Sequence, residues 1–133
     1  NYAYEWPVKR FVYHHYRNYD AFLDIGANIG TYSILLAQKG LRGFAFEPVK
    51  DNYDAFKINL ILNKLEEKVK VFNVALGAYP HRAQFSFDLI NTGASHLVGI
   101  ELEEEHTISS EIVESDIIPL DDFLSQLKIP KSD

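Results

Sequence analysis

Ala21-Phe22-Leu23-Asp24-Ile25-Gly26-Ala27-Asn28-Ile29-Gly30 is the stretch on which the reading of this chain turns. Ala21 to Ile25 is a short apolar run ending at a glycine, which predicts a strand buried on both faces. Gly26 and Gly30 allow sharp turns and let a ligand approach the backbone without a Cβ in the way. From Thr31 to Lys39 the residues Tyr32, Ile34, Leu35, Leu36 and Ala37 continue without a breaker, and Gly40 stands where a helix C-terminal glycine belongs. Strand, glycine loop and helix therefore follow in order, with the helix N-terminal N–H groups turned toward the loop, where they suit a carboxylate.

Working outward, Gly43-Phe44-Ala45-Phe46 reads as a second strand stopped by Glu47-Pro48. Asp51 to Asn63 carries Tyr53, Phe56, Leu60 and Asn63 at helical intervals, and Val69 to Ala75 alternates as a third strand ending near Gly77. The order βαβαβ predicts a parallel sheet with right-handed crossovers. Beyond Gly77, Ala83 to Asp88 and Leu97 to Leu102 read as strands joined by the turn-forming Asn91-Thr92-Gly93-Ala94-Ser95, a hairpin insertion. Glu101 to His106 is expected to be a solvated acidic face, Ile112-Val113 to close the β-region, and Pro119 to lead into a short helix over Leu120 to Leu127. Upstream, residues 1–19 form a separate aromatic segment with Val8, Phe11, Val12 and His15 at helical spacing, leaving 20–133 as the main domain.

Composition narrows the classes. With 47% hydrophobic and 24% charged residues, the 133-residue chain has apolar material for one core. The balance of 13 basic against 19 acidic residues disfavours a nucleic-acid groove, which needs clustered cations. No cysteine is present, so there is neither a disulfide framework nor a thiolate nucleophile, and a cytoplasmic location is expected. No apolar run approaches the roughly 18 residues of a spanning helix. The histidines His14, His15, His81, His96 and His106 lack a metal-binding spacing.

Two acids carry the chemistry. Asp24 stands where a dinucleotide-binding loop would place its first glycine; an acid there repels a pyrophosphate but can hold a cation or an ammonium group. Glu47, at the end of the second strand, is placed to accept hydrogen bonds from ribose hydroxyls, and Pro48 to stiffen the loop against an adenine face. The plainer alternatives are that Asp24 caps the following helix, that Asn28 merely tolerates a left-handed turn, and that Asn73 to Leu76 are core and loop first, with a backbone adenine contact second. The aromatic residues of 1–19 read as packing rather than a stacking platform.

The segments Phe22 to Gly30, Phe46-Glu47-Pro48, Asn73-Val74-Ala75-Leu76-Gly77, Asn91 to Ser95 and Pro119-Leu120-Asp121-Asp122-Phe123 together resemble the FkbM family of methyltransferases over about Asp20 to Phe123. The resemblance implies an α/β fold of the class I methyltransferase, Rossmann-like type, with S-adenosyl-L-methionine as cofactor and a hydroxyl of a small molecule or glycan as acceptor. Its cofactor-binding residues would be Asp24, Gly26, Ala27, Asn28, Gly30, Thr31, Glu47, Pro48, Asn73 and Ala75. The chain stops before the strand that carries the family's acidic Asp-x-Glu-Gly segment, so it corresponds to the N-terminal part of the domain, truncated before the fourth core strand. The first strand is then expected to have an open edge prone to self-association, and no residue is assigned as catalytic. A nucleoside-binding module without transfer activity and an NAD-dependent oxidoreductase stand as alternatives, the latter disfavoured by the missing first glycine.

Overall fold

A computed structural model of the protein describes residues 6–88, 96–97 and 110–126. Helix α1 (Trp6–His15) and a 3-10 turn (Tyr16–Asn18) lead into β1 (Ala21–Ile25), α2 (Thr31–Gln38), β2 (Arg42–Phe46), α3 (Lys50–Leu62) and β3 (Val69–Phe72). The strands form a three-stranded parallel sheet in the order β1-β2-β3. Small residues bring the helices close to one face of it. Ala37 of α2 and Phe56 and Leu60 of α3 pack with Ala45, Val69 and the partly buried Phe22. Gly43 lies directly opposite Phe22, and a Cβ there would meet the Phe22 ring at 2.5 Å.

Both helices end by one device. Gly40, at φ +99°, follows α2 in the left-handed region, and the N–H of Leu41 returns to the Leu36 carbonyl at 3.2 Å. Lys64, at φ +57°, takes the equivalent place after α3, with the Leu65 N–H on the Leu60 carbonyl at 2.9 Å. Lysine is not the residue usually found there, which is why the sequence marks the first helix end more clearly than the second.

The expected third strand is in fact two. β3 stops at Phe72, and the chain bends at Asn73, whose side-chain amide donates to the carbonyls of Glu47 (2.9 Å) and Pro48 (3.1 Å). The chain then enters β4 (Ala75–Leu76), which belongs to a second sheet with β5 (His81–Asp88), β6 (His96–Leu97) and β7 (Ser110–Ile118) in the order β4-β7-β5-β6. β4 is parallel to β7, while β5 is antiparallel to both β7 and β6. The hairpin turn at Asn91 to Ser95, the rest of the expected strand up to Leu102, and the acidic run Glu101 to His106 lie outside the described residues. β7 is much longer than the Ile112-Val113 pair expected to close this region. Its Glu114 and Asp116 face outward onto Arg82 at 3.2 and 3.0 Å, so charge hides the strand from an apolar reading.

Burial of β1 also departs from expectation. Phe22 and Asp24 face the helices, but Leu23 and Ile25 on the other face are 42% and 60% exposed. On that second face lies α4 (Leu120–Gln126), whose Phe123 meets aromatic rings of β2 and β3. Phe123 of α4 sits edge-on to Phe46 (4.9 Å between centroids), Phe72 (4.6 Å) and Phe44 (6.1 Å). Among the described residues nothing pairs with the outer edge of β1.

Phe123 is 7% exposed and is the described anchor of α4, so Phe123→Ala should lower unfolding free energy by about 3 kcal/mol through lost burial and an unfilled cavity. Urea denaturation measures this, and a loss below about 1 kcal/mol would mean that α4 is not held by the aromatic cluster.

Candidate functional site

Parallel pairing sets Ile25 beside Phe46, so the chain leaves β1 and β2 at the same end of the sheet and the two following loops meet. The Phe46 carbonyl accepts the N–H groups of Gly26 (2.9 Å) and Ala27 (3.0 Å). Glu47 continues β2 by donating its N–H to the Phe72 carbonyl at 3.0 Å. Its side chain turns back into the junction, where Oε1 accepts the Asn28 N–H at 2.8 Å and Oε2 the Val49 N–H at 2.7 Å. Asn73 closes the group from the end of β3. Glu47 is only 4% exposed, so its carboxylate first of all clamps two loops. Each oxygen keeps one further acceptor position.

Asp24, one residue before the end of β1, accepts the Ser33 hydroxyl on Oδ2 at 2.6 Å. Gly30 occupies the N-cap position of α2 in the left-handed region and has no side chain to cap with. Asp24 supplies an acceptor to the first turn from a neighbouring strand, so the capping alternative describes a bond that is present. Ser33 is fully buried, and sequence reasoning did not find it; a hydroxyl in the first turn after a strand-end acid is the signal that points to it.

Burial pushes the Asp24 carboxyl above its ordinary range, against the opposing pull of the Ser33 hydroxyl and N–H. Burial also raises Glu47; the N–H groups of Val49 and Asn28 oppose the shift, and the negative charge of Asp24 adds to it. Two carboxyls that repel one another and are poorly solvated make a place where a cation is favoured and another anion is not.

The loop glycines do different jobs. Gly26, at φ +71°, is exposed, with open space around the position a Cβ would take. A Cβ on Gly30, at φ +92°, would instead fall on the Phe56 ring, so this glycine serves the packing of α3. Between them Ala27 is buried in the core, and Asn28 is held at φ +56° with its side-chain Oδ1 buried and without a hydrogen-bond partner. An orphaned acceptor beside an open glycine calls for a donor. Asp24, Gly26, Asn28, Glu47, Pro48 and Asn73 thus gather at one end of the sheet. Thr31 opens α2 on the exposed side, and Ala75 is drawn into β4 opposite Ile117.

No protein-family model matches the chain, and no curated protein matches it. Among the described residues no cluster of three or more His, Cys, Asp or Glu is arranged to hold a metal, and no helix is long and apolar enough to cross a membrane.

The two acids should answer differently to neutralisation. Glu47→Gln presents an amide NH2 to a buried N–H and should cost about 1–3 kcal/mol. Asp24→Asn keeps an acceptor for Ser33 and removes a poorly solvated charge, so stability near neutral pH should hold or rise. The pH dependence has a definite sign. Because both folded carboxyls lie above their unfolded values, their stabilising contribution is full below the unfolded range and is lost as pH rises through the folded values. Denaturant unfolding across that range should show a shallower decline for Asp24→Asn; an identical slope would mean that Asp24 is not destabilised by burial.

Proposed function

We propose that the chain is the cofactor-binding part of an S-adenosyl-L-methionine-dependent methyltransferase similar to the FkbM family, acting on a hydroxyl of a sugar or other small natural product. Its sheet would be the first half of a class I methyltransferase, Rossmann-like sheet. The observation that carries the reading is the pairing of Asp24 and Glu47, both raised by burial, at adjoining parallel strand ends around the unpaired Asn28 Oδ1 and the open space at Gly26.

The residues fit that cofactor in kind. A ligand with a sulfonium and an ammonium group relieves the repulsion between two carboxyls, whereas the pyrophosphate of a dinucleotide would add to it. Glu47 retains acceptor positions for ribose hydroxyls, Asn28 Oδ1 accepts an N–H or O–H, and Gly26 admits close approach of the backbone. When bound, S-adenosyl-L-methionine supplies the methyl group on a sulfonium centre. The contribution of the chain is to hold and orient: the Glu47 clamp and the Asn73 cross-link fix the loops before any ligand arrives, and fixed alignment is what a displacement at carbon needs most.

Calorimetry tests this. S-adenosyl-L-methionine and S-adenosylhomocysteine should bind, and NAD should not. Asp24→Asn should weaken S-adenosyl-L-methionine by roughly 10- to 100-fold, the worth of a charge-assisted contact, while leaving the protein at least as stable. Gly26→Ala has room for its Cβ but sets an L side chain at φ +71°, so it should fold with a stability loss of about 1–2 kcal/mol and lose affinity by filling the cradle. Affinity for the cationic cofactor should rise with pH as the two carboxyls ionise. NAD binding, or wild-type affinity in both folded variants, would overturn the assignment.

A further inference from the structure

Helix α1 has no buried residue, although it is rich in aromatics. Its inner side, Phe11, Val12 and His15, stands over an apolar cavity of about 150 Å³ whose floor includes Phe22, Leu36 and Leu41. Among the described residues, the helix therefore meets the parallel sheet and α2 only around this cavity. At about 100° per residue, Lys9, Tyr13, Trp6, Arg10 and His14 fall in sequence around an arc of about 140° opposite that inner side. Trp6 and Tyr13 are 59% and 52% exposed, and Val8 and Phe11 are equally open at 55% and 60%, so the helix leaves apolar surface uncovered all round. The Lys39 ammonium lies 5.2 Å from the Tyr13 ring and 5.7 Å from the Tyr16 ring, and the Arg17 guanidinium 5.5 Å from Tyr16. Between Trp6 and Tyr19 the chain carries Lys9, Arg10 and Arg17 and no acid, although its net charge is -6.

We propose that α1 docks the protein onto an anionic lipid surface, with Trp6 and Tyr13 at headgroup depth and Lys9, Arg10, Arg17 and Lys39 facing the lipid phosphates. Tryptophan and tyrosine favour the membrane–water interface because each joins an apolar ring to a polar tip. Cations flanking them add attraction to anionic headgroups, worth about thirtyfold in affinity for two such charges. An amphipathic helix already poorly buried by its own protein loses little packing when its outer face enters that interface. The net negative charge makes the case specific: the molecule as a whole is repelled by an anionic membrane, so binding must come from this local patch.

Trp6 is the chain's single tryptophan, so its fluorescence reports on the helix directly. The protein is titrated with vesicles of phosphatidylcholine alone and with vesicles containing phosphatidylserine. Binding only to the second, with a blue shift of Trp6 emission that high salt reverses, is the expected result. Lys9→Glu/Arg10→Glu should weaken binding by at least about tenfold, and Lys9→Gln/Arg10→Gln by less, with far-ultraviolet circular dichroism and S-adenosylhomocysteine affinity unchanged in both. Equal behaviour on both vesicles, or folded variants that bind like the original protein, would overturn the proposal. So would a blue shift that depends on protein concentration without lipid, which would assign the face to a second copy of the chain.

Discussion

The Glu47 carboxylate, enclosed between the N–H groups of Asn28 and Val49, is the contact on which the rest of the arrangement depends. It sits where β2 ends, yet it fixes the loop after β1 and the entry to α3 together. Without it the buried N–H of Val49 and the partly buried N–H of Asn28 would lose their acceptor, at a cost of about 1–3 kcal/mol for the buried one. The Phe46 carbonyl and the Asn73 amide extend the same junction to the backbone on both sides, so the ends of all three parallel strands are cross-linked at one place.

That junction is built against an electrostatic gradient. A second acid, Asp24, is held in the same region by Ser33, and both carboxyls are less well solvated than they would be in water. An arrangement chosen for stability alone would place neutral acceptors there, since an amide can satisfy Ser33 as well as a carboxylate can. The left-handed Asn28 and its unpaired Oδ1 point the same way. Strain, repulsion and an orphaned acceptor gathered in one loop are the usual marks of a site kept for a ligand.

Much of this was legible in the sequence. The ends of β1, α2 and β2 and the start of α3 follow from apolar runs punctuated by Gly26, Gly40 and Pro48, because backbone freedom and proline chemistry act locally. The positions of Asp24 and Glu47 were legible for the same reason: each stands at a strand end. What was hidden depends on distant partners. The break at Asn73 lies inside an unbroken alternation, where its side chain bonds Glu47 and Pro48 and the chain passes into the second sheet. β7 was hidden by Glu114 and Asp116, which read as loop charges until Arg82 is placed across from them. The exposed Leu23 and Ile25 show that apolar composition alone cannot say which face of a strand is covered; the reach of α4 decides it. Gly30, expected in the ligand cradle, also makes room for Phe56, a contact between residues far apart in the chain that the local sequence does not reveal.

The central claim is that the loop between β1 and α2, together with Glu47, forms the cofactor site. Amide chemical-shift mapping during titration with S-adenosyl-L-methionine tests it residue by residue. The account predicts that the largest shifts fall on the backbone N–H groups of Gly26 and Asn28 and on the Asn28 side-chain amide, whose oxygen is the unpaired acceptor. Shifts centred instead on Phe11, Leu36 and Leu41 around the apolar cavity, or none at saturating ligand, would contradict it.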